Sequence, residues 1–130
     1  MTHLPAYWKP HLLAVCGAPH TEQNFRLLDA WAAAEGGEAK FNPLNTTLNI
    51  PGGLDVKRPD YNTAGVKNYR NAIIGVAATA ATLANGGYRG ILGALQRGEL
   101  TAEQIVATHR DEFHRWGTNP DVILRVLADG

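Results

Sequence analysis

The reading of the fold turns on one stretch, Thr21-Glu22-Gln23-Asn24-Phe25-Arg26-Leu27-Leu28-Asp29-Ala30-Trp31-Ala32-Ala33-Ala34-Glu35-Gly36-Gly37. Thr21 is a favourable N-cap, and Phe25, Leu28 and Trp31 recur at helical spacing to form an apolar stripe. Gly36 and Gly37 end the pattern, because glycine accepts the left-handed conformation that closes helices. A helix is expected to about Ala34, with Glu35 in its last turn. A carboxylate is out of place there. The helix dipole opposes negative charge at a C-terminus, and Trp31, one turn back on the same face, sets an indole beside it. Both disfavour the ionised form and raise its pKa. A carboxylic acid that keeps its proton near neutral pH can serve as a general acid. The two glycines leave room for a bulky substrate. An exposed glutamate at a frayed helix end satisfies the same pattern.

Before this helix, Ala6 to Val15 reads as a short helix started or interrupted near Pro10, followed by a break at Gly17-Ala18-Pro19. After it the period changes. From Phe41 to Tyr69 Asn, Pro, Gly and Thr dominate, Thr46 to Ile50 is β-prone, and Pro51-Gly52-Gly53 is a turn signal. A small irregular hairpin is expected. Asn71 to about Leu83 returns to helix, rich in alanine, with Ile73, Val76 and Ala80 on one face, and Asn85-Gly86-Gly87 stops it. Tyr88 to Gln96 reads as a short helix ended by Gly98. Thr101 and Gln104 have the spacing of a capping box for a helix to about Trp116. Asn119-Pro120 opens a last helix through Leu127. The fold class is α+β, mainly α: a helical domain with a small β-hairpin lobe.

Length and charge bound the function. A chain of 130 residues fits one domain over 1–130. Zero net charge argues against a general nucleic-acid binder. The even total hides a pattern. Residues 40–89 hold six basic groups against Asp55 and Asp60, while both flanks are acidic. The middle third therefore suits either an anionic polymer or plain solvation. The run Ala72 to Ala84 is far too short to span a membrane. Met1-Thr2-His3-Leu4-Pro5 lacks the basic start and apolar core of a signal peptide.

Several weak signals are set aside. Leu13-Ala14-Val15-Cys16 faintly resembles an acylation site, but Val15 is too large beside the cysteine; Cys16 reads as a small buried hydrophobe. The single cysteine excludes an intrachain disulfide. His109 and His114 are five residues apart, off one helical face, so no metal is expected. Cys16 with His20 lacks a third catalytic member. No cofactor is implied. Asn45-Thr46-Thr47 is a formal glycosylation sequon that means little without a secretory signal.

The ordered set carries more than any one motif. An apolar helix ends in Glu35-Gly36-Gly37. Then come Phe41-Asn42-Pro43-Leu44-Asn45-Thr46-Thr47 and Tyr61-Asn62-Thr63-Ala64-Gly65-Val66-Lys67-Asn68-Tyr69, an alanine-rich helix, and Tyr88-Arg89-Gly90-Ile91-Leu92. This order resembles the lysozyme-like superfamily, nearest the bacterial and phage transglycosylases and glucosaminidases that cut peptidoglycan. It also resembles lysozyme-like proteins of actinobacterial phages. The likeness covers roughly residues 17–98, leaving 99–130 as further C-terminal helices. Asn62-Thr63-Ala64-Gly65-Val66-Lys67 is similar to the Asn-x-x-Gly-Ile-Lys element of the glucosaminidases.

The resemblance implies Glu35 as the general acid that protonates a glycosidic oxygen. Asp60, or less favourably Asp55, is the second carboxylate where one is needed. A lytic transglycosylase needs none, because the sugar's own 6-hydroxyl closes on the anomeric carbon. Asn42, Asn45, Thr46, Tyr61, Asn62 and Tyr69 are expected to line the groove, since amides and aromatic faces suit N-acetyl sugars. Lys67 and Arg70 would meet substrate carboxylates. Turn formation explains the same asparagines and aspartates. The partner implied is the peptidoglycan glycan strand, with no nucleic acid and no membrane insertion. The chain would act at the bacterial wall through a holin or as part of a virion or larger assembly. The alternative is an inactive wall-binding or virion-structural module of the same fold, favoured by the absence of the Ser that often follows the family glutamate. A third reading is a helical partner-binding protein using residues 99–130.

Overall fold

Trp31 has no exposed surface and sits at the middle of the fold, and the elements around it follow from that. A computed structural model describes residues 8–130. It holds α1 (Trp8–Cys16), α2 (Glu22–Glu35), α3 (Ala72–Leu83), α4 (Arg89–Arg97), α5 (Ala102–Thr108), α6 (Arg110–Trp116) and α7 (Pro120–Asp129). The N-terminal reading over Met1–Pro5, and the expected helical residues Ala6 and Tyr7, lie outside the described residues.

Local chemistry sets the helix ends. The Thr21 hydroxyl accepts from Asn24 N, and Gly36 closes α2 in the left-handed conformation at φ 71°. Asn71 caps α3 through Ile74 N. Thr101 and Gln104 form the reciprocal capping box of α5. Asn119 caps α7, with Pro120 at its first position. The single helix expected from Thr101 to Trp116 is instead two. His109, at φ −116° and ψ 35°, leaves the helical region and separates α5 from α6.

Helix α2 packs against α7 and α5, and α1 packs against α3. Leu12, Leu13, Leu27, Leu28, Ile91, Leu95, Ile105, Phe113 and Ile123 fill the space between them and are fully buried. On α3 the buried side is made by Val76, Thr79, Ala80 and Leu83, whereas Ile73 is 70% exposed. The face that sequence spacing gives to Ile73, Val76 and Ala80 is therefore buried at Val76 and Ala80 but not at Ile73. It lies in the first turn, on the outer side of Gly75. The core side of α3 is kept small because the main chain of Phe41 passes directly over it. A Cβ on Gly75 would stand 1.8 Å from the Phe41 carbonyl oxygen.

Residues 36–71 cross the helices as irregular chain. Two isolated antiparallel bridges, Leu54 to Tyr69 and Asp60 to Lys67, are present, and no strand forms among the described residues. The expected hairpin strand Thr46–Ile50 is therefore not formed. Its backbone is taken by side chains. Asn42 Oδ1 accepts from Thr46 N, Thr46 Oγ1 accepts from Leu48 N, and Tyr69 Oη donates to Leu48 O. Side chains that bond to nearby backbone compete with a strand ladder, and Pro51 has no N–H to extend one. The domain is mainly α.

Candidate active site

Capping at Gly36 makes Glu35 the last residue of α2 and turns its half-buried side chain toward two other parts of the chain. Oε1 accepts from Asn45 Nδ2 at 3.0 Å, and the same Nδ2 donates to the Glu35 main-chain carbonyl at 3.0 Å. Oε2 accepts from the Thr118 hydroxyl. Thr118 stands between α6 and α7, is buried, and accepts the Trp31 Nε1–H at 3.0 Å. Asn45 reaches its place through a left-handed backbone, φ 58°, a conformation asparagine tolerates better than most residues.

Aromatic rings form the floor of this arrangement. Trp31 meets Phe113 and Trp116 edge-on, with centroids 4.9 and 5.0 Å apart, and Trp116 meets Tyr88 at 5.1 Å. Trp116 Nε1 donates to Leu44 O at 2.6 Å, which ties the insert to α6. Burial pushes the Glu35 carboxyl above its ordinary value, while the bonds from Thr118 and Asn45 and the Trp31 N–H pull the other way. The net direction is upward, because desolvation is the largest of these effects.

The structure separates the other expected site residues into two groups. Asn42, Thr46 and Tyr69 are buried anchors of the insert. Asn42 Nδ2 donates to Thr46 O and Lys67 O at 2.8 and 2.9 Å. The Thr46 and Thr82 hydroxyls lie 2.6 Å apart, joining the insert to α3. Burial pushes the Tyr69 hydroxyl up to about 12. With their polar groups turned inward, these three hold the chain that carries Asn45. Asn45 alone among the expected residues touches Glu35.

Tyr61, Asn62, Lys67 and Asp60 lie further out. Asn62 is exposed and its Oδ1 accepts from Val66 N, as in a turn. Asp60 is exposed and paired with Lys67. Asp55 pairs with Lys40 at 3.1 Å, which holds its carboxyl below the usual carboxylate range. Arg70 is exposed and donates to Gly52 O at 3.0 Å. A cavity of about 180 Å³ lies among Glu38, Lys40, Asp55, Arg58, Tyr61 and Asn68, with the Arg58 guanidinium 5.5 Å from the centre of the Tyr61 ring. A second, of about 100 Å³, is lined by Trp8, Ala32, Gly37 and Pro43. A third, of about 240 Å³, lies between α2 and α7 beside Arg26 and Asp29. Glu35 lines none of these three.

Glu112, between His109 and His114 in α6, receives the N–H groups of Gly90 and Ile91 at 2.9 Å and caps the start of α4. His109 Nδ1 stands 4.0 Å from it. Among the described residues no group of three His, Cys, Asp or Glu side chains is placed to hold a metal. Burial pushes the Cys16 thiol up to about 11, which makes it a poor nucleophile.

Thr118 is the site residue that sequence reasoning missed. Gly117 and Asn119 mark the turn between two helices, and this much is legible locally. Nothing local says that the residue between them meets a glutamate from another helix. Comparison with protein-family models, with curated proteins and with solved structures found no match for this chain.

Proposed function

We propose that this protein cleaves the glycan strands of peptidoglycan, as a glycosidase or lytic transglycosylase of lysozyme-like architecture. In this reading residues 36–71 form the smaller lobe that faces the helices across a sugar-binding groove. The observation that carries the reading is the Glu35 carboxyl, half-buried one turn from Trp31, shifted toward its protonated form and gripped by two hydrogen-bond donors. A proton held this way is available for a glycosidic oxygen as the bond to the anomeric carbon breaks. Asn45, Tyr61 and Asn62 are the substrate-facing residues of the reading, with Lys67, paired to Asp60, beside them. Asp60 is occupied by Lys67, which favours the route that needs one carboxyl group: the 6-hydroxyl attacks the anomeric carbon and its proton returns to Glu35. The protein would work at the bacterial wall as a phage-derived lysin or virion component.

A second reading, an inactive wall-binding or virion-structural module, is favoured by one feature: Glu35 lines none of the three cavities above. Turbidity of purified cell walls separates the two. Wild type is expected to clear them, and Glu35→Gln to be slower by roughly 100-fold or more, the usual worth of a general acid. Equal clearance by both proteins ends the glycosidase reading. Sedimentation of both with the walls, and clearance by neither, establishes the second.

A further inference from the structure

We propose that Thr118, held by the Trp31 indole N–H, is a positioning residue that makes Oε2 of Glu35 a pure acceptor, so that the transferable proton is carried on Oε1. The inference deepens the general-acid reading of Glu35 and rests on it for its catalytic meaning, but its geometry stands apart from any activity.

Counting donors gives the direction of each bond. The Trp31 indole N–H can only donate, and its partner at 3.0 Å is Thr118 Oγ1. Thr118 therefore spends a lone pair on Trp31. Its one hydroxyl hydrogen points at Glu35 Oε2. A proton placed on Oε2 would turn that hydrogen away. Thr118 is buried, and a buried donor without an acceptor is costly.

The other oxygen is different. Asn45 Nδ2 donates to Oε1, and its orientation is fixed because it also donates to the Glu35 carbonyl. The reversed amide would set Oδ1 against two acceptor oxygens; in the observed orientation Oδ1 is buried and unpartnered. Both carboxyl oxygens keep a second lone pair, but Oε2 faces the one rotatable hydrogen of a buried hydroxyl whereas Oε1 faces an amide anchored by its second bond, so a proton on Oε1 leaves both donors in place. The groups that act on the carboxyl are Thr118, Asn45 and Trp31, none of them charged. Several charged groups of α6 and α7 have partners away from Glu35. Arg110 pairs with Asp121 at 3.0 Å, and Arg115 donates to Gly87 O. His114 acts on Asp121.

Both donors favour the ionised carboxyl, so removing either the Thr118 hydroxyl or the indole N–H that orients it favours the acid. The test is carbon NMR titration of the Glu35 side-chain carboxyl in wild type, Thr118→Val, Thr118→Ser and Trp31→Phe, with thermal unfolding of each to confirm the fold. Thr118→Val is nearly isosteric and is expected to raise the Glu35 titration midpoint by roughly 0.5–1 pH unit. Trp31→Phe is expected to move it the same way, and Thr118→Ser to restore the wild-type midpoint. In wall clearance the alkaline limb of the pH profile should move up with Thr118→Val. A folded Thr118→Val protein with an unchanged midpoint overturns the proposal, as does a Thr118→Ser protein that titrates like Thr118→Val. If wild type titrates as described and clears no walls, the glycosidase reading fails while the proton assignment stands.

Discussion

Burial of the Glu35 carboxyl outweighs the hydrogen bonds that favour its charge, so its proton is bound more tightly than in a free glutamate. The sign carries over to stability. Its carboxyl binds a proton more tightly folded than unfolded. As pH rises from the ordinary glutamate value of 4.5 through the folded value, this group loses stability rather than gaining it. Asp55, Glu103 and Asp121, whose values are lowered by Lys40, Arg26 and Arg110, act in the opposite direction. Those groups are common to wild type and Glu35→Gln, so they cancel in the difference. Urea unfolding at pH 4 and at pH 7.5 should show wild type losing ground to Glu35→Gln as pH rises. A difference that stays constant would mean that Glu35 titrates as a free glutamate. The placement of Glu35 was legible from Trp31 and Gly36. The duties of the asparagines were not. Asn42 and Asn45 sit in one short polar segment, and both fit a groove or a turn. Which of them faces inward depends on partners such as Lys67 and Glu35, which are remote in sequence or belong to another element.

At the scale of elements, caps were readable and tertiary contacts were not. Thr21, Asn71, Thr101 and Asn119 all cap as their local chemistry dictates, since each bond closes within four residues. No strand forms over residues 46–48, where side chains of Asn42, Thr46 and Tyr69 bond to the backbone, and only two isolated antiparallel bridges join residues 54–69. Ile73, in the first turn of α3, is exposed, and on the opposite side of the helix the Phe41 carbonyl occupies the place over Gly75. That contact yields a direct prediction. Gly75→Ala gains helix propensity but drives a methyl into backbone 1.8 Å away. It should cost about 1–3 kcal/mol, as overpacked sites do, read as a lower urea midpoint. A neutral or stabilising result would show that the insert is free to lift from α3.

Over the whole molecule, the last quarter closes the site rather than extending past it. Phe113, Ile123 and Leu127 are buried in the common core, Trp116 bonds the insert at Leu44, and Thr118 bonds Glu35. The resemblance in sequence runs only over about 17–98, so it gave no sign of this dependence. A chain cut after Gly98 is expected to lose cooperative thermal unfolding and near-ultraviolet circular dichroism, since Trp31 would lose both its ring partners from α6. Retention of a sharp transition would show that residues 99–130 are an appendage. The basic middle third keeps Lys57, Arg58 and Arg70 exposed around the insert, on the segment that carries Asn45 toward Glu35.

Mass spectrometry of the fragments released from purified peptidoglycan tests the role of Glu35 most directly. Wild type is expected to release muropeptides cut at a glycosidic bond, ending in 1,6-anhydro sugars if the single-carboxyl route operates, and Glu35→Gln at matched concentration to release none above background. The same glycan fragments from both proteins, at similar rates, would contradict Glu35 as the proton donor.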